Sequence, residues 1–95
     1  MTTFTDLNFE THQFHGIYAD GIQAIVKFPN KYGASVVKSK YSYGGKAGLY
    51  ELAVLDATNQ ICYTTSITDD VLGYLSESDV TEILTAIEAL PEAAL

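Results

Sequence analysis

The apolar residues of this chain change their spacing once, and that change constrains the fold more than any motif. From Ser76 onward the period is helical: Val80, Ile83, Leu84, Ile87 and Leu90 fall on one stripe. Ser76 with Asp79 three residues later is a capping signature, in which a hydroxyl and a carboxylate satisfy each other's backbone N–H groups. Glu77, Asp79 and Glu82 sit near the positive end of the helix dipole, where anions stabilise, and Pro91 ends the pattern. The spacing predicts an amphipathic C-terminal helix roughly 20 Å long.

Before Ser76 the period is two. Ile22, Ala24, Val26 and Phe28 alternate with Gln23, Ile25 and Lys27, the pattern of a half-buried antiparallel strand. A strand is also predicted over residues 12–18, turning at Ala19-Asp20-Gly21, and residues 1–11 form an edge strand or a loosely docked arm. Pro29 to Gly33 is a turn, with Asn30 and Gly33 the residues that tolerate left-handed dihedrals. Ala34 to Ser39 is a third strand. Leu49 to Leu55, charged only at Glu51, is placed centrally, and Ile61 to Ile67 closes the meander after a turn at Asp56 to Gln60. Thr68-Asp69-Asp70 caps a short helical turn through Val71, Leu72, Tyr74 and Leu75, which Gly73 weakens. The expected fold is one α+β domain over residues 1–95: a small antiparallel meander of three to five strands packed against the C-terminal helix.

Composition fits that reading. Of 95 residues, 47% are hydrophobic and 18% charged, a globular balance and not a disordered one. No apolar run approaches the length of a membrane span, and MTTFTDLNFE has neither the basic nor the apolar region of a secretory signal. The lone Cys62 suits a reducing compartment, so a cytoplasmic location is expected. The net charge of −7 is unevenly placed: all five lysines lie between Lys27 and Lys46, while nine acids and no cation follow Ala47. That acidic half discourages direct nucleic-acid binding. Exposed carboxylates at Asp69, Asp70, Glu77, Asp79 and Glu82 would instead suit a basic partner, or mimicry of nucleic acid if they lined one stripe. Solubility alone also accounts for such a charge.

No constellation carries recognised chemistry. Gly44-Gly45-Lys46 lacks the first glycine and the hydroxyl residue of a phosphate loop, and a strand follows it where a helix should. His12 and His15, three apart on a strand, point to opposite faces and would not share a metal. Cys62 reads as a small core or subsurface residue, and helix capping explains Asp69-Asp70 more simply than acid–base work. The chain has no arginine to hold an anionic substrate bidentately. The expectation is a protein without catalytic residues, cofactor or metal.

The loop from Lys40 to Gly48, KYSYGGKAG, is the segment whose composition asks for a function. Tyrosine offers large contact area at low entropic cost, and glycine and lysine beside it make an adaptable rim. Tyr32, Lys40, Tyr41, Tyr43 and Lys46 are therefore the candidate partner-binding residues, with Tyr50 near enough in sequence to join an aromatic patch. The structural alternative is that these tyrosines half-bury against the sheet while the glycines only turn the chain.

Three stretches, FPNKYGASVV (28–37), YGGKAGLYELAVLD (43–56) and TDDVLGYLSESDVTEIL (68–84), resemble a group of small uncharacterised bacteriophage-encoded proteins, over residues about 12 to 90. That group usually reads Asn-Gly where this chain has Asn30-Lys31, a departure that implies a different turn. The resemblance carries no activity; what it implies is a viral protein made inside a bacterium. The function expected on that footing is binding to a host or phage protein, as an inhibitor of a host or antiviral-defence factor, with a homodimer compatible. The alternatives are a virion or morphogenesis component acting by self-assembly, and a nucleic-acid mimic.

Overall fold

The helix forms where its stripe requires. In the computed structural model, which describes residues 2–11, 21–39, 42–62, 65, 67 and 71–92, α1 spans Glu77–Glu88. Ser76 Oγ accepts from Asp79 N at 3.1 Å and Asp79 Oδ2 accepts from Ser76 N at 3.0 Å, so the predicted capping pair closes in both directions. Replacing Ser76 by alanine removes the first bond and is expected to lower unfolding stability by about 1 kcal/mol, read from a urea titration. An unchanged midpoint would mean that solvent caps this end equally well.

Five strands form one antiparallel sheet in sequence order: β1 (Glu10–Thr11), β2 (Ile22–Lys27), β3 (Gly33–Lys38), β4 (Tyr50–Leu55) and β5 (Leu72–Leu75). Each strand pairs with its neighbour in the chain, as short connections dictate. The register aligns Ala24, Val36, Leu52 and Leu72 across four strands. Ala24, Ala34, Val36, Tyr50, Leu52 and Val54 are the buried residues of the inner face, and Val80, Leu84 and Ile87 of α1 pack onto it, all three fully buried. The sheet supplies one apolar side and the helix stripe covers it, which is the reason an α+β domain of this size holds a core.

The amino-terminal segment is part of that core. Phe4, Leu7 and Phe9 pack against it, and the rings of Phe4 and Phe9 meet Tyr50 at 5.0 and 5.7 Å between centroids. Phe4 N donates to Thr81 Oγ1 and Thr2 N to Glu88 Oε1, so residues 2–9 cross the helix as a strap leading into the edge strand β1. Lys38 places its ammonium 5.0 Å from the Tyr50 centroid, which explains how a lysine ends a strand directed at the core.

Several expectations are corrected. Residues 71–75 are not a helical turn: Leu72–Leu75 is the fifth strand, and pairing with Tyr50 and Leu52 outweighs a local helical preference too short to sustain itself. That strand is the one the sheet ends on after β4; of Ile61 to Ile67, residues 63, 64 and 66 lie outside the described residues, and the described part meets β4 through an isolated bridge from Ile61 to Leu55 and a hydrogen bond from Cys62 N to Val54 O at 2.7 Å. In the β2–β3 turn the left-handed residue is Lys31, at φ 74°, while Asn30 and Gly33 serve otherwise. Asn30 Nδ2 donates to Ile87 O at 2.9 Å and Leu90 O at 3.0 Å, its Oδ1 accepts from Tyr32 N, and the turn is thereby tied to carbonyls at the helix C-terminus. Gly33 is required by space: a Cβ there would stand 2.6 Å from Val26 O. The strand predicted at residues 12–18, the turn at 19–20 and the cap at 68–70 lie outside the described residues.

Candidate protein-contact surface

The β3–β4 connection is built from mutual serine bonds. Ser39 N donates to Ser42 Oγ at 2.9 Å and Ser42 Oγ donates back to Ser39 O at 2.9 Å, a closed turn on which Gly45 N then folds to Ser42 O. A 3-10 turn, Gly45–Ala47, follows, entered and left through Gly44 at φ 91° and Gly48 at φ 80°. Only glycine takes such dihedrals without strain, so of the glycines that looked like a phosphate loop Gly44 is conformational, while Gly45 is needed for its close approach to Ser39 O.

This loop is fastened to the far side of β4 from the helix. Tyr43 N donates to Glu51 Oε1 at 3.2 Å, and Tyr43 O accepts from Tyr74 N at 3.1 Å. The second bond depends on a β-bulge. Tyr50 pairs with Leu75 and Leu52 with Leu72, which leaves Gly73 and Tyr74 together opposite Glu51. Gly73 admits the loop because a Cβ there would lie 2.4 Å from Tyr43 Cβ, and a Cβ on Gly44 would lie 2.8 Å from Tyr74 Cα. Tyr43 and Tyr74 thus stand on touching backbones, and the two residues are 62% and 66% exposed. Lys46, three residues along the same turn, is exposed as well.

The other candidates divide. Tyr32 is half-buried against the core on the β2–β3 turn, at the opposite end of β3 from Tyr43, and Tyr50 is buried beneath Phe4 and Phe9. A single patch joining Tyr32, Tyr50 and the loop therefore does not form, because six residues of strand separate its ends. Lys40, Tyr41, Asp69 and Asp70 lie outside the described residues, as do His12 and His15. Cys62 is half-buried against the core, and the described residues contain no group of three His, Cys, Asp or Glu arranged to hold a metal.

Glu77, Asp79 and Glu82 are exposed on α1, yet they do not make a stripe. At 3.6 residues per turn, Glu82 lies about 140° and Asp79 about 200° round from Glu77. Asp79 is moreover committed to the cap and Glu88 to Thr2 N. The helix geometry gives nucleic-acid mimicry no support.

Among the described residues two carboxyls are displaced from their ordinary range, and both belong to structural contacts away from Tyr43 and Tyr74. Asp56 is held low by the Thr58 hydroxyl and the N–H groups of Gln60 and Thr58, which close the β4 turn; Glu92 is held low by Lys31, 2.8 Å away. The lysines are similarly occupied: Lys27 Nζ donates to Asp56 O at 2.9 Å and Lys38 lies over Tyr50.

Tyr74 is the exposed aromatic beside Tyr43 that the sequence pattern does not single out, because its segment reads locally as a helical turn. A glycine between Leu72 and Tyr74 in a short apolar run is the available signal: inside a strand it marks a bulge or a close backbone approach, and here it marks both. Comparison with protein-family models, with curated proteins and with solved structures returns no match. No helix among the described residues is long and apolar enough to cross a membrane.

Proposed function

We propose that this chain is a small non-enzymatic binding protein, encoded by a bacteriophage, which acts on a protein of its host or of the phage through the surface carrying Tyr43, Tyr74 and Lys46. The observation that carries the reading is the pair of exposed phenol rings on a backbone fixed by hydrogen bonds from both sides. Rigidly held tyrosines lose little entropy on binding and supply most of the contact energy where they occur at interfaces. Because both rings remain mostly in water in this fold, their area is available to a partner. The resemblance to phage-encoded proteins supports the choice of a host cell as the place to look.

The test is a pull-down of the tagged protein from lysate of its bacterial host, with mass spectrometry of what is retained. The expected result is one protein retained by the parent chain and lost by at least tenfold from the double variant Tyr43→Ala, Tyr74→Ala, consistent with about 1.4 kcal/mol or more of contact energy. Retention of that protein by the double variant would remove this surface from the proposal. Recovery of the bait alone would replace hetero-association with self-assembly.

A further inference from the structure

The amino-terminal strap is held differently from the rest of the fold. None of residues 2–10 is buried, whereas Tyr50, beneath the rings of Phe4 and Phe9, is only 7% exposed. Two backbone donors fasten it to α1 through side-chain acceptors: Thr2 N to Glu88 Oε1 and Phe4 N to Thr81 Oγ1, both at 2.9 Å. β1 adds a ladder of two residues, Glu10 opposite Gln23 and Thr11 opposite Ile22. Within the strap, Thr3 N donates to Asp6 Oδ2 at 2.9 Å, Asp6 N to Thr3 O at 3.0 Å and Leu7 N to Phe4 O at 3.1 Å, closing a 3-10 turn over Phe4–Asp6. A segment that carries its own turn, buries no residue fully and is pinned at few points has low local stability, and it opens as a unit before the fold beneath it does.

The connection to β2 is also longer than closure needs. Thr11 pairs directly with Ile22, a junction that a two-residue turn can make, yet ten residues join them. Extended, that connection reaches about 36 Å, against molecular dimensions of 35 × 26 × 23 Å. A strap released from its own body therefore reaches the equivalent seat on a neighbouring molecule. The occupant whose fit to this seat is seen is residues 2–11 themselves, and a second copy offers the same residues to the same acceptors.

We infer that residues 2–11 are a detachable strap that undocks while the sheet and α1 stay folded. The vacated seat, formed by Tyr50, Thr81, Glu88 and the β2 edge at Ile22 and Gln23, then takes the same segment of a second copy of this chain. The exchange is reciprocal: each copy gives a strap and receives one, so neither seat stays open. Because the exchanged contacts equal those within one chain, concentration sets the balance. The tether keeps the strap near its own seat at an effective concentration on the order of millimolar, and a second copy competes as the protein approaches that level. Tyr43 and Tyr74 take no part, so the inference stands apart from the binding reading above.

Three measurements test it, the first on the parent chain alone. Hydrogen exchange is followed in rising, sub-denaturing urea. The Phe4 amide is expected to be about a hundredfold less protected than that of Leu52 in β4, with a much weaker dependence on urea, the mark of a local opening. Thr81→Val, which removes the acceptor of Phe4 N, is expected to lower protection at Phe4 by about tenfold and to change Leu52 by less than about threefold. Equal protection and equal urea dependence at Phe4 and Leu52 would overturn the strap as a separate unit. Second, a fluorescent peptide of residues 2–11 stands in for the strap of a second copy. It is expected to bind the Phe4→Ala chain about tenfold or more tightly than the parent, whose own strap competes better, and the peptide carrying Phe4→Ala is expected to lose that binding. Failure of the unaltered peptide to bind a Phe4→Ala chain that calorimetry shows to be folded would overturn the exchange. Third, sedimentation of the parent at concentrations raised toward millimolar is expected to show a dimer that excess peptide returns to monomer. A monomer throughout, or a dimer indifferent to the peptide, would overturn the second copy as occupant.

Discussion

Alanine in place of Gly45 is expected to lower the melting temperature by about 12 °C or more, corresponding to about 3 kcal/mol in a domain of this size. Gly45 does not occupy a left-handed conformation, so the reason is not its dihedrals. Its Cα is pressed against the carbonyl of Ser39: a Cβ would stand 1.6 Å from Ser39 O and 2.7 Å from Ser42 Oγ, an overlap no rotamer relieves. Because the obstacle is backbone, either the 3-10 turn or the end of β3 must move, and the Ser39–Ser42 bonds are lost with that movement. Gly48 is the control. Its Cβ would meet nothing within 4 Å, but its φ of 80° is unfavourable for alanine, so Gly48→Ala is expected to cost only about 1 kcal/mol. Differential scanning calorimetry of both variants separates close approach from conformational freedom. Equal losses would show that the loop relaxes around position 45, and that the Tyr43 backbone is less firmly held than its hydrogen bonds imply.

The contrast between those glycines also shows how far the sequence could be read. Amphipathic elements were legible because one side chain in two or in four reports its own burial: the stripe of Val80, Leu84 and Ile87 and the alternation at Ala24 and Phe28 both became core. The cap was legible because Ser76 and Asp79 are in local contact. What escaped was decided by remote partners. Leu72–Leu75 has no strong preference of its own and is a strand because β4 is there to pair with it. Asn30 looked like a turn residue and is one, but its amide reaches 57 residues along the chain to the helix carbonyls, which no local rule signals. The proposed contact surface was half legible. Tyr43 and Lys46 stood out by composition, whereas Tyr74 joins them only through a bulge and one backbone hydrogen bond. Tyr32, close in sequence, is removed to the other end of the sheet by the length of β3.

Truncation of Leu84 to alanine is the second large effect, expected to lower unfolding stability by about 3 kcal/mol, within the usual span for a buried leucine. Leu84 is fully buried at the middle of the helix stripe, between Val80 and Ile87 and against the inner face formed by Val36, Leu52 and Val54. Its removal leaves a void where helix and sheet meet, and the residues around it are fixed from two sides, by the sheet register and by the strap of residues 2–9 over α1. The site therefore has little freedom to collapse, which puts the loss in the upper part of the range and not the lower. A domain of 95 residues has a total stability of roughly 5–14 kcal/mol, so the variant stays folded at low temperature but melts far earlier. Leu84→Met, which conserves volume, is expected to cost under about 1.5 kcal/mol. Urea titrations that rank the two equally would place the helix on the sheet more loosely than its burial shows. The pair also gives the binding experiments their reference. If Leu84→Ala, compared with the parent at a temperature where both are folded, retains the partner while Tyr43→Ala, Tyr74→Ala does not, the loss belongs to the exposed rings and not to the fold beneath them.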